Sequence, residues 1–255
     1  MNIVLLDVYN LIHRARSGFT KGDYAIVYNF FRGLRPILEK LSPDKVYFVL
    51  EGVPMHRKET YSEYKSNRPS QSESFYRQKD LIIKLSQECM PFSVVVAPDL
   101  ECDDLIANIA KYHDNIGDNC FIVSGDSDFL QVFDTCQNVK IYHPIKKKFL
   151  EKPEYNYLTW KSLTGDKSDN IPGIRGIGPK RAAALCSDSN ALRDLLQVDN
   201  NGNIFARNKS LIRFVTLSEF TPDNFLVAKG TFKSNVLKTK FSKFGFKSMV
   251  TDSAW

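Results

Sequence analysis

The sequence predicts an α/β fold: a mainly parallel central sheet with flanking helices, followed by a smaller helical module. Two observations support this prediction. Short β-rich segments alternate with helical patterns over the first two thirds of the 255 residues, which is typical of a parallel sheet covered by helices. Near Lys146 the alternation stops, and short helical patterns follow a polar connector. We therefore predict an α/β core over residues 1–150 and a helical module over residues 151–255.

The individual elements follow from residue periodicity. Strands are predicted where β-branched and aromatic residues form short runs, at residues 3–7, 45–50, 92–96, 119–124 and 139–142. Helices are predicted where apolar residues recur at helical spacing, at residues 24–40, 74–88, 103–113, 155–163, 179–186, 191–196 and 209–219. Beyond Lys229, lysines interleave with phenylalanines. We interpret this tail as a solvated amphipathic element in preference to a specific DNA contact.

The composition is that of a globular protein without a membrane span. Hydrophobic residues make up 43% of the chain and charged residues 25%, and no apolar run approaches the roughly 18–20 residues of a membrane helix. The N-terminal apolar run ends at Asp7 without a basic flank or a cleavage site, unlike a secretory signal. The five cysteines form no CxxC pair, so we expect reduced thiols, no structural zinc and a cytoplasmic location.

Acidic residues follow the ends of the predicted strands. In strand order they are Asp7, Glu51, the group Glu101, Asp103 and Asp104, and the pair Asp126 and Asp128. Ligands of open parallel sheets bind beyond the carboxyl ends of the strands, so these acids are expected at one edge. A single acid there is ordinarily a helix cap or a turn former. Several together repel one another unless cations neutralise them.

The chemistry of these acids indicates a site for hard divalent cations. Carboxylates without a matching set of His or Cys favour Mg²⁺ or Mn²⁺, and two such ions roughly 4 Å apart can hydrolyse a phosphodiester. The formal net charge is +6, so an acidic pocket would leave a strongly basic remaining surface, which suits a polyanionic ligand. The sequence has no P-loop and no evident Ser–His–Asp arrangement, which argues against nucleotide hydrolysis and nucleophilic side-chain catalysis.

Three motifs occur in order along the chain: ECDD at residues 101–104, GDSD at residues 125–128 and GDKSDNIPGIRGIG at residues 165–178. Together they resemble the motifs of the 5′ nuclease family, which includes bacteriophage 5′ exonucleases, flap endonucleases and the nuclease domain of repair-type bacterial DNA polymerase. The resemblance runs from Asn2 to about Leu196. It implies a PIN-like core and a divalent-metal-dependent enzyme that cleaves 5′ ends and flaps of DNA, in primer removal or DNA degradation.

By position, the resemblance implies two metal ions. The first would be held around Asp7, Glu51 and Glu101, the second around Asp126, Asp128, Asp166 and Asp169, with Asp103 and Asp104 between or behind them. The family normally has Asp where this chain has Glu51, and Gly where it has Val8. We therefore expect the first metal position to differ slightly from the family pattern.

The third motif has the features of a helix-turn-helix clamp for the phosphates of duplex DNA. Gly173, Gly176 and Gly178 permit close backbone approach, and the helix that follows would turn its positive end toward a phosphate. Lys180 and Arg181 would add charge. The resemblance implies phosphate contacts without sequence readout, and a K⁺ ion held by carbonyls of the loop.

Residues 52–90 are polar, basic and aromatic, which by composition alone indicates an exposed helix pair. In the family, the segment YSEYKSNR at residues 61–68 matches an arch over the active site, beside which a 5′ single strand passes. The resemblance implies catalytic roles for Lys65 and Arg68 at the scissile phosphate. The other DNA contacts that it implies are base stacking by Tyr61 or Tyr64 and steering of the strand by Arg57 and Lys58.

Two alternatives remain open from the sequence. An RNA-cleaving nuclease on a related sheet would explain the acids but not the clamp motif, and a non-cleaving binder of branched DNA would require lost carboxylates, whereas every expected position is acidic. The expected partners are DNA, as 5′ flaps, nicked or branched duplexes and RNA-primed 5′ ends, and replication proteins. We expect a monomer in the cytoplasm of a bacterial or phage-infected cell, without membrane association.

Overall fold

In the computed structural model, which describes residues 1–18 and 20–251, strands and helices alternate through the N-terminal half. The strands are β1 (Asn2–Asp7), β2 (Lys45–Val49), β3 (Phe92–Val95), β4 (Asn119–Val123), β5 (Val139–His143), β6 (Lys148–Phe149), β7 (Gly165–Asp166), β8 (Ile171–Pro172) and β9 (Leu226–Lys229). The helices are α1 (Val8–Arg16), α2 (Ala25–Leu41), α3 (Met55–Thr60), α4 (Glu73–Cys89), α5 (Cys102–Asn115), α6 (Tyr157–Thr164), α7 (Pro179–Ser187), α8 (Ser189–Gln197), α9 (Asn201–Ile212), α10 (Ser234–Lys243) and α11 (Lys247–Val250). Two 3₁₀ helices span Ser127–Asp134 and Pro222–Phe225.

One sheet organises the N-terminal part, with strand order β6-β5-β4-β1-β2-β3-β9. The strands β5, β4, β1, β2 and β3 run parallel, and the edge strands β6 and β9 are antiparallel to their neighbours. The middle of β1 is an unbroken apolar run and is fully buried, as expected for a strand covered on both faces. The predicted mainly parallel α/β class is confirmed. Because these strands run parallel, β1 to β4 end at the same edge of the sheet.

Helices cover both faces of the sheet. On one face, α1, α2 and α4 pack in a core that includes Leu6, Phe48 and Val94. On the other face, α5 and the first 3₁₀ helix share a core with Leu5 and Tyr47. The alternation of these residues along β1 and β2 reflects the two-residue period of a strand.

The tail of the chain returns to this core after the helical module. β9 pairs with β3, and Leu237 and Phe241 of α10 are fully buried in the core that contains α2 and α4. The structure therefore divides differently from the predicted boundary, because residues 226–250 belong with the α/β core. The interpretation of the tail as solvated holds for lysines such as Lys243, which is exposed, and not for the buried phenylalanines.

The helices α6, α7, α8 and α9 form a small bundle with its own apolar core. Leu163, Ile174, Ala182 and Leu185 lie at its centre, and the two-residue strands β7 and β8 pair between α6 and α7. This confirms a helical module after the α/β core. Within the described residues, the helices are all too short or too polar to cross a membrane.

Candidate active site

Asp7 lies at the carboxyl end of β1 and at the start of α1. Its carboxylate accepts hydrogen bonds from the Asn10 backbone N–H at 3.1 Å and from the Ser124 hydroxyl at 2.6 Å. It therefore caps α1 while facing the sheet edge. Desolvation raises the pKa of Asp7 to about 7, although these two hydrogen bonds oppose the shift. A cation beside Asp7 would favour its charged form.

Glu51, Cys102 and Asp103 lie beside Asp7. Cys102 Sγ is 3.8 Å from Asp7 Oδ1 and 3.4 Å from Asp103 Oδ1, and the Cys102 backbone N–H points to Glu51 Oε1 at 3.4 Å. Asp7, Cys102 and Asp103 each offer a ligand atom within 4.8 Å of the others. Desolvation and repulsion from Asp7 raise the pKa of Asp103 well above its ordinary value, and desolvation also raises the pKa of Glu51.

The helix α5 explains part of this crowding. It begins at Cys102, with Asp103 and Asp104 in its first turn. The unpaired N–H groups and the dipole at a helix N-terminus stabilise negative charge. The N-terminus of α5 therefore partly offsets the repulsion between the acids.

A second group of acids follows β4. Asp126 accepts a hydrogen bond from the Asp128 backbone N–H at 2.9 Å, and the Tyr157 hydroxyl donates to Asp128 at 3.1 Å. Lys161 of α6 forms ion pairs with Asp128 and, at 2.6 Å, with Asp166. Desolvation raises the pKa of Asp128 to about 6, although Lys161 opposes the shift. The helical module thus contributes an acid and a cation to the sheet edge.

Lys161 was not among the residues singled out from the sequence. Its side chain is about 10% exposed, and the fixed positive charge between two carboxylates compensates for their repulsion. The available signal was its place on α6, one and a half turns before the Gly165–Asp166 pair. A lysine in a predicted helix is ordinarily solvent-exposed, so this signal carried little weight.

Glu101 and Asp169 contact the segment predicted to form the arch. The Tyr64 hydroxyl lies 2.9 Å from Glu101 and 3.3 Å from Asp169. Lys65 forms ion pairs with Glu101 and, at 3.8 Å, with Asp169, and Arg68 pairs with Asp169. Lys65 and Arg68, which belong to one segment, therefore neutralise Glu101 and Asp169, which belong to two different segments.

A single pocket collects these groups. The predicted site residues that line it are Glu101, Asp103, Asp126, Asp128, Asp166, Asp169, Arg57, Tyr64, Lys65 and Arg68. Asp7 and Glu51 adjoin it through their contacts with Cys102. The acids predicted from separate strand ends are thus brought together at one edge of the sheet.

Arg57 and Asp104 differ from the sequence expectation. Arg57 is 4% exposed and donates to Asp104 at 2.5 and 2.7 Å, to Glu101 at 3.0 Å, and to the carbonyls of Leu211 and Arg213 at 2.8 and 3.2 Å. Burial of this guanidinium is incompatible with the predicted steering of a passing strand. Asp104 is fully buried in the same ion pair, so its oxygens are engaged by Arg57 and are not placed as metal ligands.

The tyrosines and Lys58 of the same segment have different surroundings. Tyr64 is 4% exposed, so its enclosed ring is not available for the predicted base stacking. Its hydroxyl contacts Glu101 and Asp169 instead. Tyr61 is half-buried, with the Arg207 guanidinium 4.9 Å from its ring centre. Lys58 is exposed. DNA contacts by Tyr61 and Lys58 stay predictions.

The arch segment is attached to the loop between β7 and β8. The Lys65 backbone N–H donates to the Asp169 carbonyl at 3.0 Å, and the Asn67 side chain donates to the Lys167 carbonyl at 2.9 Å. Lys65 has a positive φ of 57°, which is strained for a residue with a side chain. These contacts hold the Lys65 side chain over Glu101 and Asp169.

The clamp motif has the predicted backbone features. Gly176 has a φ of 77°, and a side chain at Gly173 would collide with the backbone at the end of α6. Gly178 caps α7 without a side-chain acceptor, which leaves the first N–H groups of α7 open to a ligand. Lys180 and Arg181 are exposed on the first turn of α7. Phosphate binding by these five residues stays a prediction.

The structure combines a mainly parallel α/β core, with acidic residues gathered at one edge of its sheet, and a smaller helical module. Residues 2–159 match the family described as 5′-3′ exonuclease, N-terminal resolvase-like domain. Residues 152–215 match the 5′-3′ exonuclease, C-terminal SAM fold. The chain belongs to the 5′-3′ exonuclease family, and the resemblance seen in its motifs is confirmed.

Relatives in bacteria are much longer than this chain. The thermostable DNA polymerase I of Thermus thermophilus is 31% identical over 211 residues, which cover 76% of this chain and 25% of the relative. The DNA polymerase I of Treponema pallidum is 34% identical over 203 residues, which cover 72% of this chain and 20% of the relative. The chain thus spans about a quarter or less of the length of these relatives.

Solved structures share the fold at low sequence identity. The bacteriophage T5 5′-exonuclease with divalent metal ions (zinc) bound has a TM-score of 0.70 and 20% identity, over 83% of this chain and 89% of that chain. The catalytic core of Rad2 in complex with a DNA substrate has a TM-score of 0.57 and 14% identity, over 98% of this chain and 91% of that chain.

Proposed function

We propose that this protein is a structure-dependent 5′ nuclease that hydrolyses phosphodiester bonds at 5′ ends and flaps of DNA by a two-metal-ion mechanism. The observation that carries the proposal is the meeting of acids from separate strand ends and from the helical module in one pocket, next to Lys65 and Arg68. A crowd of carboxylates is costly without cations. Phosphodiester hydrolysis is the reaction for which paired hard cations are suited.

The donor set fits Mg²⁺ or Mn²⁺. Carboxylate oxygens dominate the pocket, and hard cations prefer oxygen ligands. The first ion would be held by Asp7, Glu51, Glu101 and Asp103, the second by Asp126, Asp128, Asp166 and Asp169. When bound, the two ions supply an activated water and charge stabilisation for the leaving oxygen. Asp104 has no place in this set because Arg57 occupies its oxygens.

The cations of the chain complete the proposal. Lys65, Arg68 and Lys161 form ion pairs with Glu101, Asp169, Asp128 and Asp166. Lys65 and Arg68 therefore lie beside the acids that would hold the metal ions. We infer that these two cations stabilise the charge that develops on the scissile phosphate in the transition state.

Duplex DNA would be held at a second place on the molecule. The N-terminus of α7 begins at a glycine-capped loop with Lys180 and Arg181 in its first turn, and such helix ends bind phosphates. We infer that loop carbonyls near Gly176 hold K⁺, and that the contacts are to phosphates and therefore independent of sequence.

We base a proposal for the cellular role on the relatives and structural neighbours. The relatives are DNA polymerases, and some of the structural neighbours are complexes with DNA, one of them with a Holliday junction. We infer that the substrates are flaps, nicked or branched duplexes and RNA-primed 5′ ends, and that the protein acts in primer removal or DNA degradation. It would work as a monomer in the cytoplasm of a bacterial or phage-infected cell, alongside replication proteins.

A set of labelled substrates tests the proposal. A 5′-labelled flap, a nicked duplex, a single strand and an RNA duplex of matched sequence are followed with Mg²⁺, with Mn²⁺ and with EDTA. We expect cleavage of the flap near its junction with either metal ion and none in EDTA. Faster cleavage of the RNA duplex would favour an RNA nuclease, and tight flap binding without cleavage in either metal ion would favour a non-cleaving binder. Either result would overturn the proposal.

A further inference from the structure

Cys102 places a sulfur atom next to two acids of the site, Asp7 and Asp103. It is the first residue of α5 and is 4% exposed. Its Sγ lies 3.4 Å from Asp103 Oδ1 and 3.8 Å from Asp7 Oδ1, and its backbone N–H points to Glu51. Cys102 packs at the border of the same apolar core as Cys120, but its Sγ contacts carboxylates, whereas the Cys120 Sγ contacts the Ala110 carbonyl.

The distances around this sulfur match those of a coordinated metal ion. A tetrahedral ion with bonds of about 2.3 Å to sulfur and about 2.0–2.2 Å to oxygen places neighbouring ligand atoms about 3.5 Å apart. The two Sγ–Oδ1 separations bracket this value, and the three ligand atoms lie within 4.8 Å of one another. One ion could therefore take all three ligands after small side-chain movements.

The response of such a site depends on the metal. Mg²⁺ requires octahedral oxygen coordination and has little affinity for sulfur, whereas Zn²⁺ and Cd²⁺ bind thiolate strongly. A carboxylate at position 102 would serve the hard ions, and an apolar residue would be neutral. A thiol instead adds affinity for borderline and soft ions alone.

We propose that Cys102 determines the metal selectivity of the first metal position. It stays outside the coordination shell of Mg²⁺, and it becomes a ligand, together with Asp7 and Asp103, to borderline and soft divalent ions such as Zn²⁺, Co²⁺ and Cd²⁺. On binding, the thiol releases its proton to solvent and a sulfur–metal bond forms, with no change in the oxidation state of either atom. The inference rests on the metal centre of the proposed function.

The functional consequence is selective inhibition. A sulfur ligand draws the ion toward tetrahedral coordination and away from the octahedral arrangement that the oxygen ligands provide for Mg²⁺. Trace Zn²⁺ or Cd²⁺ would then occupy the first position in competition with the productive ion.

Co²⁺ absorption tests this assignment without DNA. Metal-free protein is titrated with Co²⁺, whose thiolate complexes have an intense near-ultraviolet charge-transfer band. We expect this band in the unaltered protein and in the control variant Cys186→Ala, because Cys186 lies outside the pocket. We expect it to be absent in Cys102→Ala and in Cys102→Ser, which keeps a polar atom of similar size.

Competition with a chromophoric chelator provides the affinities. We expect Cys102→Ala and Cys102→Ser to weaken Zn²⁺ and Cd²⁺ binding by about 10- to 100-fold, the range seen when groups that support a bound metal are removed, and to leave Mn²⁺ binding within about threefold. Thermal melting of each variant in EDTA verifies folding.

Two results would overturn the inference: no charge-transfer band in the unaltered protein, or a band and a Zn²⁺ affinity that persist in Cys102→Ser. A failure of the proposed nuclease function looks different. In that case the flap stays uncut with Mg²⁺, while the Co²⁺ band and its loss in the variants are unaffected.

Discussion

Replacement of Arg57 by methionine should destabilise the protein severely. The guanidinium donates hydrogen bonds to two carboxylates and two backbone carbonyls, and both Arg57 and Asp104 are almost fully enclosed. Arg57→Met leaves the buried Asp104 without its counter-charge, whereas Glu101 keeps its ion pair with Lys65. Removal of one partner of a buried pair costs about 3–5 kcal/mol of unfolding free energy. For a chain of this size that corresponds to a fall of roughly 10 °C in melting temperature.

The adjacent residue gives a matched control. Lys58 is exposed on the same short helix, and Lys58→Met makes a similar chemical change at the surface, where effects are ordinarily within about 0.5 kcal/mol. Unfolding of both variants is followed by circular dichroism in denaturant with EDTA present. Arg57→Met should also weaken Mn²⁺ binding, because Arg57 positions Glu101. If the free energy of unfolding of Arg57→Met lies within about 1 kcal/mol of that of the unaltered protein, the structural role assigned to Arg57 is refuted.

Three further predictions concern the pocket itself. Lys65→Ala should slow single-turnover cleavage of a flap by about 100-fold or more and change duplex affinity little, because the clamp lies elsewhere; unchanged cleavage with lost affinity would contradict this. In EDTA, the free energy of unfolding should fall as pH rises from about 4 toward 7. The reason is that the folded state holds a proton on Asp7 that the unfolded state has released. Denaturant unfolding at several pH values measures this free energy, and a rise with pH would contradict the prediction. Lys161→Met should raise the pKa of Asp128 and Asp166, because their counter-charge is lost; carboxyl carbon chemical shifts followed by NMR across pH would detect this, and unchanged titration would exclude the pairing.

The sheet edge could be predicted because it depends on local pattern. A run of apolar and β-branched residues that ends at an acid, such as the run that ends at Asp7, indicates a strand. It also indicates that the acid lies at the carboxyl end of that strand. Parallel order then brings those ends together. The predicted strands at residues 45–50 and 119–124 agree with β2 and β4 to within a residue.

Long-range contacts account for what the pattern missed. Arg57 looks like a surface residue in its polar segment, and its burial requires Asp104 and the end of α9 to lie beside it. The helix predicted at residues 209–219 instead ends at Ile212. Its extended continuation is held by Asp104, which accepts a hydrogen bond from the Val215 N–H at 2.9 Å. The strand β9 likewise forms because β3 offers an open edge.

The two-metal site is tested most directly by the cleavage rate of the double variant Asp126→Asn and Asp128→Asn on a 5′ flap with Mg²⁺. Asparagine keeps the shape of both side chains but is a weaker, neutral ligand, so single-turnover cleavage should fall by at least about a thousandfold, the order expected when charge stabilisation in the transition state is removed. Melting in EDTA should change little, because the relief of repulsion between the acids offsets the loss of the ion pair between Asp128 and Lys161. A variant that melts much lower and still cuts the flap with Mg²⁺ would show that Asp126 and Asp128 are structural, and would contradict the proposed mechanism.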